Sequence, residues 1–402
     1  MRKTIFGCLG VAAVAFALQF TTANAQFFNR CDPCDRVACD PCDRAWDCDP
    51  CGPLNGCSFN GCDFNGCNFN GCGPTLGKWF FKGHVEAGAW ANAHGSTGSW
   101  GNSGYLMNTG HTGLQANQIY FSAGRSVDGR RGLDLGGTVD FAYGSDVWMA
   151  QACGLEFTHS RNNWSRGDYH TAFPQVYAEA AFNRVNVKAG KFYVPFGLDS
   201  FKSTDNFFYS WSPAKMIVPT TAGGVVTTFR VNDRLSVMGG FVQPDAFGCN
   251  EFWNSYIGGF TVKPTQRLSI RYSFLAGDKN PEFVNSLTTT FQINRRLAYS
   301  FDWSLWNGGE GVAGWYSLMN EVTFQANQRW AFGTRFGMTS WDGTSELDMY
   351  TISLGANWTP NNWLTVKPEV RWDWAENSDV TNFANGDKSH QFSGGLSAVV
   401  KF

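Results

Sequence analysis

Seven short polar segments, each followed at once by a new alternating run, punctuate the chain from residue 127 onward. They are Val127-Asp128-Gly129-Arg130, Phe182-Asn183-Arg184-Val185, Val231-Asn232-Asp233-Arg234-Leu235 and Lys263-Pro264-Thr265-Gln266-Arg267-Leu268, then Ile293-Asn294-Arg295-Arg296-Leu297, Ala326-Asn327-Gln328-Arg329-Trp330 and Pro360-Asn361-Asn362-Trp363-Leu364. Asn, Asp, Gly and Pro tolerate or preset turn dihedrals, so these segments read as hairpin turns. From Asn232 onward they recur roughly every 29 to 34 residues, room for two strands of about 10 residues, one tight turn and one longer loop. Seven internal turns on one side, with both chain ends on that side, predict sixteen strands, an even count as in bacterial outer-membrane barrels.

Between the turns the side chains alternate with period two. Arg267, Ser269, Arg271 and Ser273 interleave with Leu268, Ile270, Tyr272 and Phe274; Ala298, Ser300, Asp302 and Ser304 with Tyr299, Phe301, Trp303 and Leu305. Thr365, Lys367, Glu369, Arg371 and Asp373 interleave with Leu364, Val366, Val370, Trp372 and Trp374. A soluble sandwich also alternates, but its strands are shorter and its charged face looks outward. Here the polar face is expected to line a lumen and the apolar face to meet lipid. Pro368 falls inside a predicted strand, and a closed barrel has no edge to host it, so a bulge is expected there.

Arg2 and Lys3 precede an apolar run from Ile5 to about Phe20, and Ala23-Asn24-Ala25 supplies a cleavage site. Residues 1–25 are therefore expected to be an export signal, 26–75 a Cys-rich segment and 76–402 the barrel. Beyond residue 26 no run approaches the roughly 18 apolar residues of a membrane-spanning helix. Charged residues make up 16% of the chain and aromatics another 16%. That balance suits a wall with an apolar exterior and aromatic girdles. The fold class expected is all-β, a transmembrane antiparallel β-barrel of about sixteen strands in the outer membrane. A net charge of -2 gives no reason to expect nucleic acid as a partner.

Sixteen strands enclose a lumen wide enough for water, which argues for a channel. The longer loops would fall at about 92–116, 143–171, 193–221, 244–254, 276–285, 307–313, 339–348 and 375–389. The third is rich in aromatics, with Phe196, Phe201, Phe207, Phe208, Tyr209 and Trp211. It either folds inward and narrows the pore or packs over the rim.

The stretch Ala189-Gly190-Lys191-Phe192-Tyr193-Val194-Pro195-Phe196-Gly197-Leu198-Asp199 resembles the Gly-Lys-Phe-x-x-Pro-Phe-Gly segment of large bacterial outer-membrane porins. It is similar to the β-barrel porin family of OmpL-like type, and more distantly to phosphate-selective porins of the O and P type. With the turn pattern and the terminal Phe402, the resemblance covers about residues 79–402. It implies passage of small hydrophilic solutes and no catalytic residues. Large porins are usually trimers, so a homo-trimer is one assembly to test. Within the motif only Lys191 could touch solute, and it could equally hold the loop. Phe402, with Val400, Ala398, Leu396 and Phe392 at every second position, resembles the C-terminal signal that barrel-assembly machinery recognises.

Ten of the thirteen cysteines lie in the head: Cys31, Cys34, Cys39, Cys42, Cys48, Cys51, Cys57, Cys62, Cys67 and Cys72. Three Cys-x-x-Cys pairs suit zinc, but they do not fill two four-cysteine sites without the second half. Export favours disulfides, with connectivity left open. The segment is expected on the periplasmic side, either bridging the barrel to other envelope proteins or forming a flexible leader with local bridges. Cys153 and Cys249 fall near two loops and could pair.

His84, His94, His111, His159, His170 and His390 show no metal-ligand spacing, and neither a nucleophile elbow nor a phosphate-binding Gly loop is legible. No enzyme activity, metal or cofactor is expected. The pore-lining candidates are Arg184, Lys188, Lys191, Arg230, Arg267, Arg271, Asp302, Arg335, Lys367, Glu369, Arg371 and Asp373. Their basic excess favours anions, unless opposite charges on neighbouring strands cancel. A structural envelope protein, with the barrel as anchor for the cysteine head, is the alternative to a porin.

Overall fold

The computed structural model describes residues 78–93, 113–158, 164–246, 254–277, 282–309, 314–342, 346–376 and 388–402. The export signal, the ten head cysteines and Cys249 lie outside the described residues.

The strands are β1 (Trp79–Asn92), β2 (Gly113–Arg125), β3 (Asp134–Gly144), β4 (Ser165–Arg166), β5 (Tyr169–Ala172), β6 (Val176–Phe182), β7 (Val185–Tyr193), β8 (Thr221–Arg230) and β9 (Leu235–Pro244). They continue with β10 (Ser255–Thr265), β11 (Leu268–Gly277), β12 (Phe283–Gln292), β13 (Leu297–Asn307), β14 (Gly314–Gln325), β15 (Trp330–Asp342), β16 (Glu346–Asn361), β17 (Leu364–Glu376) and β18 (His390–Lys401). All ladders are antiparallel, and β1 pairs with β18 to close the sheet on itself. Both β5 and β6 pair with β3, so they are two pieces of one wall strand, and β4 is the short arm of a hairpin with β5. The wall therefore has the sixteen strands expected. The β4–β5 hairpin, inside the second loop, was not legible in the sequence.

All seven turns fall where the polar segments stand. Four use one device, in which an Asn side-chain oxygen accepts the backbone N–H groups two and three residues on. Asn232 does so for Arg234 and Leu235, Asn294 for Arg296 and Leu297, Asn327 for Arg329 and Trp330, and Asn361 for Trp363 and Leu364. Asn183 takes a left-handed conformation (φ 55°) in its two-residue turn, where Asn is tolerated.

The expected bulge at Pro368 is absent. Pro368 stays in register opposite Leu396 of β18, and its ring points outward. Its missing N–H faces β16, where pairing lapses between Gly355↔Glu369 and Trp358↔Val366 and resumes in the same register. The register slips instead around the turn prolines Pro264 and Pro360, and between Glu86 and Ala87 against β2.

Burial is inverted relative to a soluble protein. On β17, Lys367, Glu369, Arg371 and Asp373 are buried while Val370 and Trp372 are exposed. On β15, Arg335 is buried between exposed Phe332 and Phe336. An apolar belt outside and polar groups inside match a wall solvated by lipid.

Candidate functional site: a loop clamped across the lumen

The third loop leaves β7 after Tyr193 and rejoins the wall at Thr221. It folds inward. Its first turn bonds to β11, β12 and β13: Ser273 Oγ donates to Pro195 O (2.9 Å), Arg271 Nη2 to Gly197 O (2.6 Å), Gly197 N to Ser286 Oγ (2.9 Å) and Leu198 N to Asp302 Oδ2 (2.7 Å). Gly197 sits at φ 70°, a left-handed conformation that favours glycine, so its N–H and C=O can reach separate wall strands. Beside it, Val194, Phe196, Ile217 and Val218 pack on an apolar patch of the inner wall formed by Val242, Ile257, Leu275 and Val284.

The loop then reaches β15 and β17, about halfway round the wall from β7. Lys367 Nζ donates to Ser203 O and Asn206 O, both at 2.6 Å. Ser210 is gripped on every side. Its N and Oγ donate to the two oxygens of Glu369 (2.8 and 2.7 Å), Arg335 donates to its carbonyl and hydroxyl (2.9 and 2.8 Å), and Arg371 Nη1 donates to its hydroxyl (3.2 Å) and to Trp211 O (2.9 Å). Arg371 is held in turn by Asp373 at 2.7 Å. Arg335 and Glu369 also pair directly at 3.3 Å, each side chain only 1% exposed.

A third anchor is β2. The register slip against β1 turns both Asn117 and Gln118 inward, a known use of β-bulges. Asn117 accepts from the Tyr209 hydroxyl (2.9 Å), while Gln118 donates to Phe201 O (2.7 Å) and accepts from Ser203 N (3.2 Å). Inner-wall glycines seat the loop's rings. A Cβ at Gly88 would stand 2.6 Å from the Tyr209 hydroxyl, one at Gly355 2.9 Å from Phe208, and one at Gly333 would collide with Phe207.

Among the candidate pore residues, Arg271, Asp302, Arg335, Lys367, Glu369, Arg371 and Asp373 thus converge on the loop or on each other. Lys191 anchors the second loop, donating to Ala150 O (2.8 Å) and Glu156 Oε1 (2.7 Å). Lys188 pairs with Glu179 at 3.8 Å and lies over the Tyr177 ring. Arg184, Arg230 and Arg267 are exposed beside the turns, Arg184 donating to Val231 O. Phe402 exchanges two backbone bonds with Gly83 and packs on Phe121 at 5.7 Å, completing the β18–β1 closure. Cys153 is disulfide-bonded and its N–H donates to Asp245 O, four residues before Cys249. Asp245 Oδ1 accepts from Thr220 N and Thr221 N, and burial pushes its carboxyl up to about 6 against the pull of those donors and of Lys215.

The alternation identified these wall positions as inward but could not say that a loop would cover them. Asn117, Gln118, Ser286 and the glycine seats were missed. An inward-facing glycine opposite an aromatic-rich loop is the signal that marks such seats.

The family model described as "Putative beta-barrel porin-2, OmpL-like" matches residues 79–402, the whole wall. The chain belongs to this porin family. Its place is the outer membrane, and the porin's fold recurs in solved structures at low identity. A loop L8 deletion mutant of OmpT, an outer membrane protein of Vibrio cholerae, is 11% identical with a TM-score of 0.53, covering 81% of this chain and 99% of that one. The in-vitro folded, trimer form of OmpT gives 11% and 0.51, again covering 81% and 99%. No curated protein matches the chain.

Proposed function

We propose that this porin is a passive diffusion channel for small hydrophilic solutes, without enzymatic activity, whose third loop sets the constriction. The observation that carries the reading is the clamp itself: a loop bonded to opposite walls, inside a barrel whose strand number leaves a lumen wide enough for water. Four of the nine basic candidates, Arg271, Arg335, Lys367 and Arg371, are taken up by that clamp, so ion preference falls to charges outside it. Lys82 Nζ lies 5.3 Å from the Phe80 ring, and Lys202 Nζ 5.4 Å from the rings of both Tyr120 and Tyr193. Lys401 shares their surroundings through Asp205. Three lysines facing two carboxylates, Asp205 and Asp140, leave a basic excess that favours mild anion preference. A homo-trimer, the form recorded for the OmpT relative, is proposed as the assembly.

Single-channel recording of the purified, heat-modifiable protein in a planar bilayer tests this. Stable open steps with a reversal potential on the anion side of a KCl gradient are expected. A cation-selective reversal potential would overturn the selectivity, and a folded but silent barrel the channel.

A second reading concerns the cysteine head. Lys78, immediately before β1, is tied to the turn side of the barrel: its carbonyl accepts from Ser126 N (2.9 Å) and its ammonium pairs with Asp134. In this reading the ten head cysteines form disulfide links to envelope proteins of the periplasm. Deleting residues 26–75 should leave conductance intact and remove cross-linked species from non-reducing gels.

A further inference from the structure

Inside the loop-side mouth of the barrel, three tryptophans lie in one rung of the wall. Trp306 of β13 pairs with Trp315 of β14, which pairs with Trp341 of β15. They share the inward parity of Asp302, Ser317 and Arg335, whereas the outer face has its own rings, Trp303 and Tyr316 among them. A girdle role at the lipid interface therefore does not account for them. All three are half-buried. Trp306 and Trp315 lean on the apolar patch around Leu275 and Val284, and Trp315 and Trp341 on Leu347 and Met349. The third-loop segment Pro213–Ile217 packs on the same three strands, so one side of the row is fixed by packing, and each half-buried indole keeps its exposed part on the inner face.

The rung below carries hydroxyls: Ser304 opposite Ser317, and Ser317 opposite Thr339, with Ser317 and Thr339 bonded at 2.9 Å. Neither rung holds a charged side chain. Trp315 and Trp341 rings stand 5.9 Å apart at 31°, so the row is an oblique strip rather than a closed stack. With strands about 4.8 Å apart, three neighbours make a strip of about 10 Å along the wall. Asp302 lies four residues further into the barrel on β13, about 13 Å at strand rise, so a solute from the loop side meets the strip before the constriction.

We propose that Trp306, Trp315 and Trp341 form a stacking platform for the pyranose rings of neutral linear oligosaccharides. Flat apolar ring faces suit the indoles. The hydroxyls of the lower rung are buried and bonded within the wall, so the strip itself, without a charged wall side chain in its rung, suits a neutral polyol better than an anion or an organic cation. The platform rests on the reading of the lumen as a solute path, but binding can be measured without conduction.

The test is calorimetric titration of the full-length, detergent-folded protein with maltohexaose, beside a polyethylene glycol of similar length and tetramethylammonium. Saturable binding of maltohexaose alone is expected, weakened at least 10-fold by Trp315→Ala and largely kept by Trp315→Phe, with heat-modifiability unchanged. Should a Trp315 variant fail to fold, Trp306→Ala and Trp341→Ala are read in its place. No binding by the folded protein, equal binding of the glycol or the cation, or affinity indifferent to these substitutions would overturn the platform. Added on the loop side in a bilayer, maltohexaose should interrupt the current. A silent barrel that still binds the sugar would sink the channel reading alone, and a conducting one that does not bind it the platform alone.

Discussion

At Ser210 a small side chain and its peptide satisfy three charged wall residues, which makes the clamp sensitive to single changes. Arg335→Met leaves Glu369 buried beneath the loop without its guanidinium, and breaking one half of a buried pair destabilises by about 3–5 kcal/mol. The expected result is a lower temperature for the heat-modifiable gel shift and noisier, larger open currents; unchanged values would show that the pair does not hold the loop. Asp245 offers a pH test. Its folded pKa lies above the ordinary carboxylate value, so the fold favours its protonated form. That contribution is fully present below about pH 4 and lost as pH rises through about 6. Asp245→Asn keeps the oxygen that accepts from Thr220 N and Thr221 N and removes the charge. The variant should be more heat-resistant than the parent at pH 7.5 and should flatten the decline between pH 4 and 6, measured by thermal scans across pH. The β17 charges were legible as inward from alternation alone, because parity fixes the face. What lies over that face depends on contacts between residues more than 100 positions apart, such as Leu198 with Asp302, and no local pattern encodes them.

The strands and turns were the most legible elements, for a local reason. The Asn-x-Arg-apolar turns carry their own acceptor, and the period-two runs between them need only neighbouring strands of the same kind. Pro368 shows the limit: the sequence says an N–H is missing, but the outward ring and the unbroken ladder to β18 let the strand continue without a bulge. The inward bulge at Asn117 has no sequence mark, since it answers to Tyr209 far along the chain. The last strand is different, because its terminal ring is itself a structural contact. The Phe402 ring occupies the space over Gly83, where a Cβ would stand 2.6 Å from it. Phe402→Ala should therefore reduce the amount of folded barrel in the outer membrane at unchanged synthesis and slow refolding into lipid vesicles. Equal yields of folded protein would assign the assembly signal elsewhere.

For the whole molecule, wall and loop are held by different means. The wall closes through sixteen strands of backbone ladder, independent of what fills the lumen. The loop is held by side chains of the inner wall, and its grip on β15 and β17 is made by charged groups that would otherwise face water. Removing the loop therefore differs in kind from removing one clamp residue. A deletion of residues 199–211 exposes Arg335, Lys367, Glu369, Arg371 and Asp373 to lumen water together, so no charge is stranded in a dry site and Arg335–Glu369 and Arg371–Asp373 can persist as solvated pairs. The barrel should stay folded, with heat-modifiability kept, while conductance rises several-fold and ion preference shifts toward the balance of those five newly exposed side chains, three basic and two acidic. Measured in the same bilayer as the parent, an unchanged conductance would place the constriction away from the third loop, and loss of the folded form would mean that the wall depends on the loop after all.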